Sequence, residues 1–280
     1  MKKITWTFKS AVILAVIAFV IGVLLGMGVS GRFARIEDWA DGNRVKLPVL
    51  MYHDFDIESR DYTTSQETFR SHLEMFRREG YTTISFEELI RFEKGEGELP
   101  KKPILLISDD GYMGVLEYAL PLLEEYDMKM SVAVIGNLIG THEEGGLSYF
   151  TLEEEREADG NGRIEVISHT GALHEITDEM HGAKNLTLTA EEYKARLTAD
   201  CEIMKNHAGD DHPMMTKVFV YPYGEYSRES EAVLRELGYI ATVTTKKGIA
   251  KVSQGGGLSL LPRITAEWYM TGDELLSQLK

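Results

Sequence analysis

The sequence predicts an α/β domain in which helices cover a parallel sheet, and the sheet is either open or closed into a barrel. Short apolar runs alternate with amphipathic segments along the 280 residues, as they do in folds built from strand–helix units. A composition of 43% hydrophobic and 27% charged residues supplies enough apolar surface for a large core. The net charge of -15 argues against nucleic acid as a partner, because a phosphate-binding face needs an excess of lysine and arginine.

The first half of the chain reads as strands that alternate with helices. Ser65 or Thr64 followed by Glu67 forms a capping pattern at the start of the first helix, and Gly80 ends its apolar spacing. Pro121 is expected to kink or divide the third helix. In order, the predicted elements are strand "LPVLMYHDF", helix "SQETFRSHLEMFRREGY", strand "TTISF", helix "EELIRFEKG", strand "KPILLISDDG" and helix "VLEYALPLLEEYDM".

The second half continues the same alternation. Its long helix contains Cys201, the only cysteine of the sequence, so no intrachain disulfide can form. The apolar residues around Cys201 recur at helical spacing, which favours a packing role over a nucleophile. In order, the predicted elements are strand "MSVAVIG", helix "TLEEEREADG", strand "RIEVISH", helix "TAEEYKARLTADCEIMKNHAG", strand "KVFVYPYG", helix "SRESEAVLRELGY", strand "IATVTT" and helix "TGDELLSQLK".

The N-terminal segment differs in composition from the rest. Residues 1–10 form a basic tail, residues 11–29 carry no charge, and residues 30–46 read as a linker. Nineteen apolar residues reach about the 30 Å of a bilayer core, and a cleaved signal peptide has an apolar stretch of about 7 to 15 residues. We therefore predict a single-pass protein of the cell membrane, with a cytoplasmic tail, an uncleaved signal anchor and residues 47–280 outside the cytoplasm. Cleavage between Gly28 and Gly31 is the alternative.

Polar side chains follow several of the predicted strands directly. In a parallel sheet or barrel these positions meet at one rim, where function gathers. Each set also has a purely structural explanation, since paired acids after a strand often cap the next helix. The candidates are His53 after "PVLMY", Asp109 and Asp110 after "PILLIS", His169 and Thr170 after "IEVIS", and Tyr221, Pro222 and Tyr223 after "KVFV".

Two imidazoles and one carboxylate at such a rim indicate a divalent metal ion. This ligand set suits Zn²⁺ and is also compatible with Co²⁺, Ni²⁺ or Fe²⁺. His169 and His174 are five residues apart, so they can meet only where a strand ends and a turn begins. A second carboxylate beside the first is what hydrolysis by an activated water molecule requires as a base.

Taken in order, several motifs resemble one known family. "LLISDDGYMG", "SHTGALH" and "VYPYGEYS" are similar to the motifs of polysaccharide deacetylases of carbohydrate esterase family 4, the NodB-homology domain. "VLMYHDF" ahead of them and "LLPRITA" behind them resemble the exopolysaccharide branch, which includes poly-N-acetylglucosamine deacetylases. The resemblance covers about residues 47–278, and we take residues 47–280 as the domain. It implies a deformed (β/α) barrel of about seven parallel strands, preceded here by one transmembrane helix.

The resemblance also implies an activity. Such an enzyme is a hydrolase of amide bonds that removes N-acetyl groups from N-acetylglucosamine units of an extracellular or cell-wall polysaccharide. Poly-N-acetylglucosamine and peptidoglycan both remain open as substrates. A catalytically silent relative that binds glycan or tethers a complex is the alternative function.

By the motifs, each candidate residue receives an expected role. Asp109 is the general base, and the metal ligands are Asp110, His169 and His174. The backbone N–H of Tyr223 stabilises the oxyanion, and Tyr221, Pro222 and Tyr223 bind substrate. His53 is the candidate acid, because no histidine follows His212, where the family usually has a C-terminal one.

The sequence departs from the family pattern at three places. Ile107 and Ser108 replace the residues that usually precede the paired acids. The family often has an arginine two residues before the proline of the P-Y motif, but Val220 stands at that position here. Arg263 therefore becomes the candidate to orient Asp109. Ala172 stands where an aspartate is frequent, which leaves open what organises the turn before His174.

Overall fold

Seven parallel strands close into a barrel covered by helices, in a computed structural model that describes residues 44–142 and 147–280. Residues 45–280 form one compact unit. The predicted basic tail (1–10), the anchor (11–29) and the linker up to residue 43 lie outside the described residues. In the part of the chain that the structure describes, no helix combines the length and the apolar character needed to cross a membrane.

The strands differ greatly in length. The longest lie in the barrel, and the two- and three-residue pieces mostly form small sheets at its ends. They are β1 (Val45–Leu47), β2 (Val49–Tyr52), β3 (Asp54–Asp56), β4 (Thr63–Ser65), β5 (Thr82–Thr83), β6 (Pro103–Asp110), β7 (Met130–Ile135), β8 (Ile164–Thr170), β9 (Met180–His181), β10 (Lys184–Asn185), β11 (Val218–Val220), β12 (Ala241–Lys247), β13 (Ala250–Val252) and β14 (Leu258–Thr265).

Helices connect and cover these strands. Short 3₁₀ turns lie at Gly136–Leu138, Pro213–Thr216 and Pro222–Gly224, and a π-helical turn lies at Val115–Ala119. The α-helices of the described ranges are α1 (Gln66–Glu79), α2 (Phe86–Glu93), α3 (Leu120–Tyr126), α4 (Leu152–Ala158), α5 (Ala190–Ala208), α6 (Arg228–Glu236) and α7 (Gly272–Gln278).

The barrel closes because β2 pairs on both of its sides. The order around the ring is β2, β6, β7, β8, β11, β12, β14 and back to β2, and every one of these pairings is parallel. Parallel neighbours bring all carboxyl ends to one rim. The sequence left a sheet and a barrel open, and the structure confirms the barrel of seven strands that the family resemblance implied.

One member of the ring differs from the prediction. The segment predicted as strand "TTISF" contributes only Thr82 and Thr83, which pair with the first two residues of β6 and take no part in the ring. The seventh strand is instead β14, which was not predicted as a strand. Pro262 interrupts its apolar pattern, Leu260 has a φ of 55°, and its pairing with β12 contains register shifts. Such a bulged strand does not show clean periodicity.

The strands are buried on both faces, as expected for a parallel barrel. Ile104 and Leu106 of β6 belong to a core cluster that includes residues of α1 and α3. Leu105 and Ile107 belong to a second cluster, with residues of β7, β8, β11 and β12, which fills the barrel interior. Since side chains alternate along a strand, Asp109 continues the inward-facing series.

The ends of α1 and the start of α3 lie where the capping residues and Pro121 predicted them. The Ser65 hydroxyl accepts a hydrogen bond from the backbone N–H of Thr68, and Gly80 ends α1 with a φ of 76°. The predicted division at Pro121 is also observed, because the π-helical turn gives way to α3 at Leu120, with the proline in the first turn. Local sequence signals therefore fix these helix boundaries.

Candidate metal centre

The ends of β6 and β8 supply the central residues of the site. Asp109 and Asp110 are the last two residues of β6, and His169 and Thr170 are the last two of β8. All four are buried. Because β6 and β8 both pair with β7, their carboxyl ends are held close together at the rim of the barrel.

Asp110, His169 and His174 form the cluster that the sequence predicted as metal ligands. Their ligand atoms lie within 4.8 Å of one another. Asp110 Oδ1 is 3.5 Å from Nε2 of His169 and 3.5 Å from Nε2 of His174. The structure therefore brings all three side chains to one point, although their role as ligands stays a prediction.

The ring of His169 is held in a defined orientation. Its Nδ1 lies 2.8 Å from the carbonyl oxygen of Val220. A carbonyl only accepts, so Nδ1 carries the proton and donates it there, which leaves the lone pair on Nε2 facing Asp110. A hydrogen bond of this kind on the remote ring nitrogen is the usual support for a metal-binding histidine.

His174 reaches the same point from the turn that follows β8. Its ring stacks against Tyr223 with 4.6 Å between centroids, and the Tyr223 hydroxyl lies 3.3 Å from both Nδ1 and the carbonyl oxygen of His174. Burial, and next the electrostatic interaction with the neighbouring His169, lower the pKa of His174. The imidazole is thereby favoured in its neutral form, which is the form that binds a metal.

The backbone at Asp110 turns sharply at the end of the strand. Asp110 has a φ of 76°, a left-handed conformation that is uncommon for residues other than glycine. Gly111 follows with a φ of 88°, and a Cβ at this residue would lie 2.9 Å from Cγ1 of Val134. The glycine of the "DDG" motif therefore permits the turn that directs Asp110 toward the histidines.

Asp109 is paired with Arg263, as the sequence suggested. Arg263 Nη1 donates to both carboxylate oxygens, at 2.8 and 2.9 Å, and Nε donates to the carbonyl oxygen of Thr244 at 2.9 Å. Burial alone would raise the pKa of Asp109, but the charges of Arg263, His169 and His53 together lower it. Asp109 is therefore ionised at neutral pH and able to accept a proton.

His53 lies on the wall of the same cleft, which has a volume of about 460 Å³ and is also lined by the two acids and the two histidines. Its ring meets the exposed Tyr62 edge to face, with 5.5 Å between centroids. The hydroxyl of Ser108 donates a hydrogen bond to the carbonyl oxygen of His53. Ser108, a departure from the family pattern, thus ties the strand of the acids to the strand end that carries His53.

The "YPYG" segment separates into two environments. Tyr223 lines the cleft, is 42% exposed and has a φ of 59°. Tyr221 is fully buried among Tyr193, Phe219 and Tyr239, and its hydroxyl donates to Glu231 at 2.7 Å. Its side chain lies in the core under α6, so the prediction that Tyr221 binds substrate finds no support in its position. Pro222 is also buried, and its carbonyl lies against Gly182.

Sequence reasoning missed two residues near the centre. Tyr112 lines the cleft beside Asp110, and burial, followed by the charges of Asp110 and Tyr149, raises the pKa of its hydroxyl. Asp200 lies on α5 and accepts hydrogen bonds from the turn between the two histidines. Asp200 sits within a helical pattern remote in sequence from both motifs, so no local signal marked it.

The residues present fit a divalent metal ion. Asp110 Oδ1 is buried and has no hydrogen-bond partner among the residues that the structure describes, which is costly unless something else binds it. It faces Nε2 of both imidazole rings. A two-histidine, one-carboxylate set of this kind leaves positions open for water and substrate.

A family model and several curated relatives match this chain. The polysaccharide deacetylase model matches residues 96–242, just over half of the sequence. YxkH of Bacillus subtilis, a proposed polysaccharide deacetylase, is 28% identical over 210 residues, which are 75% of this chain and 68% of that protein. The poly-β-1,6-N-acetyl-D-glucosamine N-deacetylase of Escherichia coli is 24% identical over 252 residues, but the match spans only 37% of its length.

Solved structures show the same fold. The Streptococcus pyogenes deacetylase PplD, in complex with acetate, superposes with a TM-score of 0.66 at 25% identity, over 85% of this chain and 99% of that one. IcaB from Ammonifex degensii superposes with a TM-score of 0.68 at 24% identity, over 84% of this chain and 97% of that one.

Proposed function

Because the chain belongs to the polysaccharide deacetylase family, we propose that it removes N-acetyl groups from N-acetylglucosamine units of an extracellular or cell-wall polysaccharide, using one divalent metal ion. The observation that carries the proposal is the buried Oδ1 of Asp110, which lies 3.5 Å from Nε2 of both His169 and His174 and has no hydrogen-bond partner within residues 44–142 and 147–280. The Asp109–Arg263 pair beside it supplies the base that amide hydrolysis needs.

Asp110, His169 and His174 would hold the ion. Bound there, Zn²⁺ would lower the pKa of a water molecule and polarise the acetyl carbonyl. Co²⁺, Ni²⁺ and Fe²⁺ have compatible ligand preferences, so the donor set alone does not choose among them.

The proton transfers fall to two residues of the cleft. Asp109 accepts the proton of the attacking water, because Arg263 keeps the carboxylate ionised and fixes its orientation. His53, on the wall of the same cleft, donates a proton to the amine nitrogen that leaves when the amide bond breaks. A positioned acid or base of this kind contributes about 10²- to 10⁴-fold in rate.

The developing negative charge on the acetyl oxygen needs a donor. We assign it to the backbone N–H of Tyr223, whose turn is held against His174 by ring stacking. A fixed donor at such a position is commonly worth about 2.7 to 4 kcal/mol of barrier. The left-handed conformation of Tyr223 supports the assignment, because strained backbone tends to occur at functional sites.

The polymer is proposed from the relatives. Poly-β-1,6-N-acetyl-D-glucosamine is in the name of the Escherichia coli relative, so it is our first candidate, with peptidoglycan as the second. Both contain the same acetamido group, and the cleft is lined by aromatic and polar side chains suited to a sugar, including Tyr62, Tyr112 and Tyr223.

An acetate-release assay tests the proposal. The full-length protein is stripped of metal with a chelator and assayed on both polymers, alone and after addition of each of the four metals. We expect release only after metal is restored, and faster release from poly-β-1,6-N-acetyl-D-glucosamine. Equal release by the stripped protein would refute the metal mechanism. Binding of N-acetylglucosamine oligomers without release under any metal would instead indicate a silent glycan-binding protein.

We also propose that the domain is anchored to the cell membrane and faces outward. The support is the uncharged run of residues 11–29 behind a basic tail. In untreated cells the protein should be found in the membrane fraction. Protease added to intact cells should degrade the domain. Protection of the domain, or its release into the medium, would contradict this location.

A further inference from the structure

One buried carboxylate outside the metal cluster contacts the whole turn between its two histidines. Asp200 of α5 is 3% exposed. Its oxygens accept from the Thr170 hydroxyl at 2.9 and 3.0 Å, and from the backbone N–H groups of Gly171 at 2.9 Å, Ala172 at 2.6 Å and Leu173 at 3.1 Å. Every residue from Thr170 to Leu173 therefore donates to this one side chain.

We propose that Asp200 is a positioning residue for the metal centre, which holds the turn after β8 so that His174 meets the same ion as His169. The proposal rests on the proposed function, because it takes Asp110, His169 and His174 as the ligands. It adds a role for a helix that contributes no ligand of its own. The role is structural support of the ligand geometry, without contact to substrate.

The five-residue interval between the histidines explains why such support is needed. His169 is fixed by β8 and by its hydrogen bond to Val220. His174 lies beyond the end of β8 and packs against Tyr223, a half-exposed side chain, and against the ring of His169. In the turn between them, the backbone N–H groups of Gly171 and Ala172 donate to Asp200, and that of Leu173 donates both to Asp200 and to the Thr170 hydroxyl that Asp200 holds, so the carboxylate satisfies most of the donors of the turn.

Gly171 shows that the helix must approach the turn closely. A Cβ at Gly171 would lie 2.3 Å from the carbonyl oxygen of Asp200 and 2.8 Å from Cβ of Ile203. Neither atom is the free end of a flexible side chain, so any larger residue would push the turn away from α5. Glycine at this position thus allows the short distances from which the carboxylate acts.

The hydrogen-bond pattern requires a carboxylate and excludes an amide. Oδ2 accepts from Gly171 N–H, and Oδ1 accepts from the N–H groups of Ala172 and Leu173. An asparagine would place its NH₂ group against at least one of these donors, whichever way the amide is turned. Asp200→Asn keeps the size of the side chain and removes only this complementarity, so it is the most informative substitution.

The chain offers a matched control in Glu165. This carboxylate lies near the opposite end of β8 and accepts from Phe86 N at 2.7 Å, Glu87 N at 2.9 Å and the Ser131 hydroxyl at 2.8 Å. It holds the start of α2 in the way that Asp200 holds the turn, but it is remote from the metal ligands. Glu165→Gln therefore reports the general cost of replacing a hydrogen-bonded carboxylate.

The experiment measures Zn²⁺ affinity by competition with a chelating dye, together with the visible absorption spectrum of the Co²⁺-loaded full-length protein. We expect Asp200→Asn to weaken Zn²⁺ binding by about 10- to 100-fold and to change the Co²⁺ spectrum, which reports the ligand geometry. Glu165→Gln should leave both unchanged while it lowers the melting temperature. Unchanged affinity and spectrum in Asp200→Asn, or equal losses in Glu165→Gln, would overturn the proposal.

A second pair of variants tests the positioning role of Asp200 if Asp200→Asn does not fold. Thr170→Val removes the hydroxyl that donates to Asp200 and accepts from Leu173 N–H at 2.9 Å, whereas Thr170→Ser retains it. We expect weakened Zn²⁺ binding in the first and rescue in the second, and equal binding in both would overturn the proposal. Zn²⁺ binding is measured without turnover, so a failure of the proposal for Asp200 is distinguishable from a failure of the proposed function. The proposed function fails if the wild-type protein binds no metal or releases no acetate.

Discussion

The interior of the barrel and its rim give two consecutive aspartates opposite hydrogen-bonding environments. In the interior, both oxygens of Asp109 accept from Arg263, a side chain that is 2% exposed. At the rim, Asp110 presents to two imidazole rings a buried oxygen that accepts no hydrogen bond from the described part of the chain. The same residue type is thus satisfied by the protein in one region and left open to a ligand in the other.

Because of this difference, the end of one strand can supply two chemical roles. Alternation along β6 directs Asp109 inward, and the left-handed backbone at Asp110 directs the next carboxylate to the rim. The fixed charge of Arg263 keeps the inner acid ionised, which suits a base.

Removal of a rim ligand should have the largest effect. In Asp110→Ala or His169→Ala, two ligands remain, so we expect Zn²⁺ binding and acetate release to be lost together. Metal content after dialysis and acetate release measure both in one preparation, and a far-ultraviolet circular dichroism spectrum checks the fold. Full activity in a variant that retains no metal would contradict the assignment of the rim.

Removal of the interior cation should destabilise the protein and shift its pH dependence. Arg263→Met leaves Asp109 buried without its partner, which typically costs about 3 to 5 kcal/mol. In the wild type the pKa of Asp109 is lowered, so the stability from this pair is present above the unfolded-state pKa of the carboxyl and is lost as pH falls through the lower folded-state pKa.

Loss of Arg263 removes the strongest of the influences that lower the pKa of Asp109, so this pKa should rise relative to the wild type. The acid limb of the profile of kcat/KM against pH should therefore move to higher pH in Arg263→Met. Urea denaturation of this variant, of Asp109→Asn and of the double variant forms a double-mutant cycle, which gives the interaction free energy between Asp109 and Arg263. An unmoved acid limb, or strictly additive effects on the free energy of unfolding, would show that Arg263 does not act through Asp109.

His53→Gln should have a smaller effect that depends on the substrate. An amine is a poor leaving group without a proton, so amide hydrolysis should slow by about 10²-fold or more. Hydrolysis of an activated aryl acetate, whose phenolate leaves without a proton, should slow much less. Comparison of kcat for the two substrates checks this, and equal losses on both would exclude His53 as the acid.

Tyr223→Phe should have the smallest effect. The hydroxyl lies 3.3 Å from His174 Nδ1, a long hydrogen bond, and its removal leaves the stacked ring and the backbone N–H in place. A hydrogen bond of this kind contributes about 0.5 to 1.5 kcal/mol, so Zn²⁺ affinity should fall by no more than about tenfold. Titration with a chelating dye measures it. A loss of turnover as large as that of a ligand variant would give the hydroxyl a direct role.

Much of the fold could be predicted from sequence, because strand–helix alternation and capping residues act locally. The missed strand β14 has a non-local origin, since closure of the barrel imposes a bulged segment through Pro262 that propensity does not favour. The prediction of a polysaccharide deacetylase is confirmed, and the candidate side chains of Asp109, Asp110, His169, His174 and Arg263 do meet. The burial of Tyr221 and the contacts of Asp200 could not be predicted, because which face a residue presents depends on packing that sequence spacing does not reveal.

At Ala172 the sequence left the support of the turn open. The structure shows that the backbone N–H of Ala172 donates to Asp200 at 2.6 Å. A side chain 28 residues away in sequence therefore provides the contact. No motif could have indicated it, because the helix and the turn meet only in the folded chain.

The most direct test of the division between interior and rim is Asp109→Asn, assayed for Zn²⁺ affinity and acetate release in the same preparation. Because Asp109 is not a ligand in this account, the dissociation constant for Zn²⁺ should stay within a few-fold of wild type. Acetate release should fall by about 10²- to 10⁴-fold, as expected for loss of a general base. Unchanged acetate release, or loss of Zn²⁺ together with activity, would contradict the account.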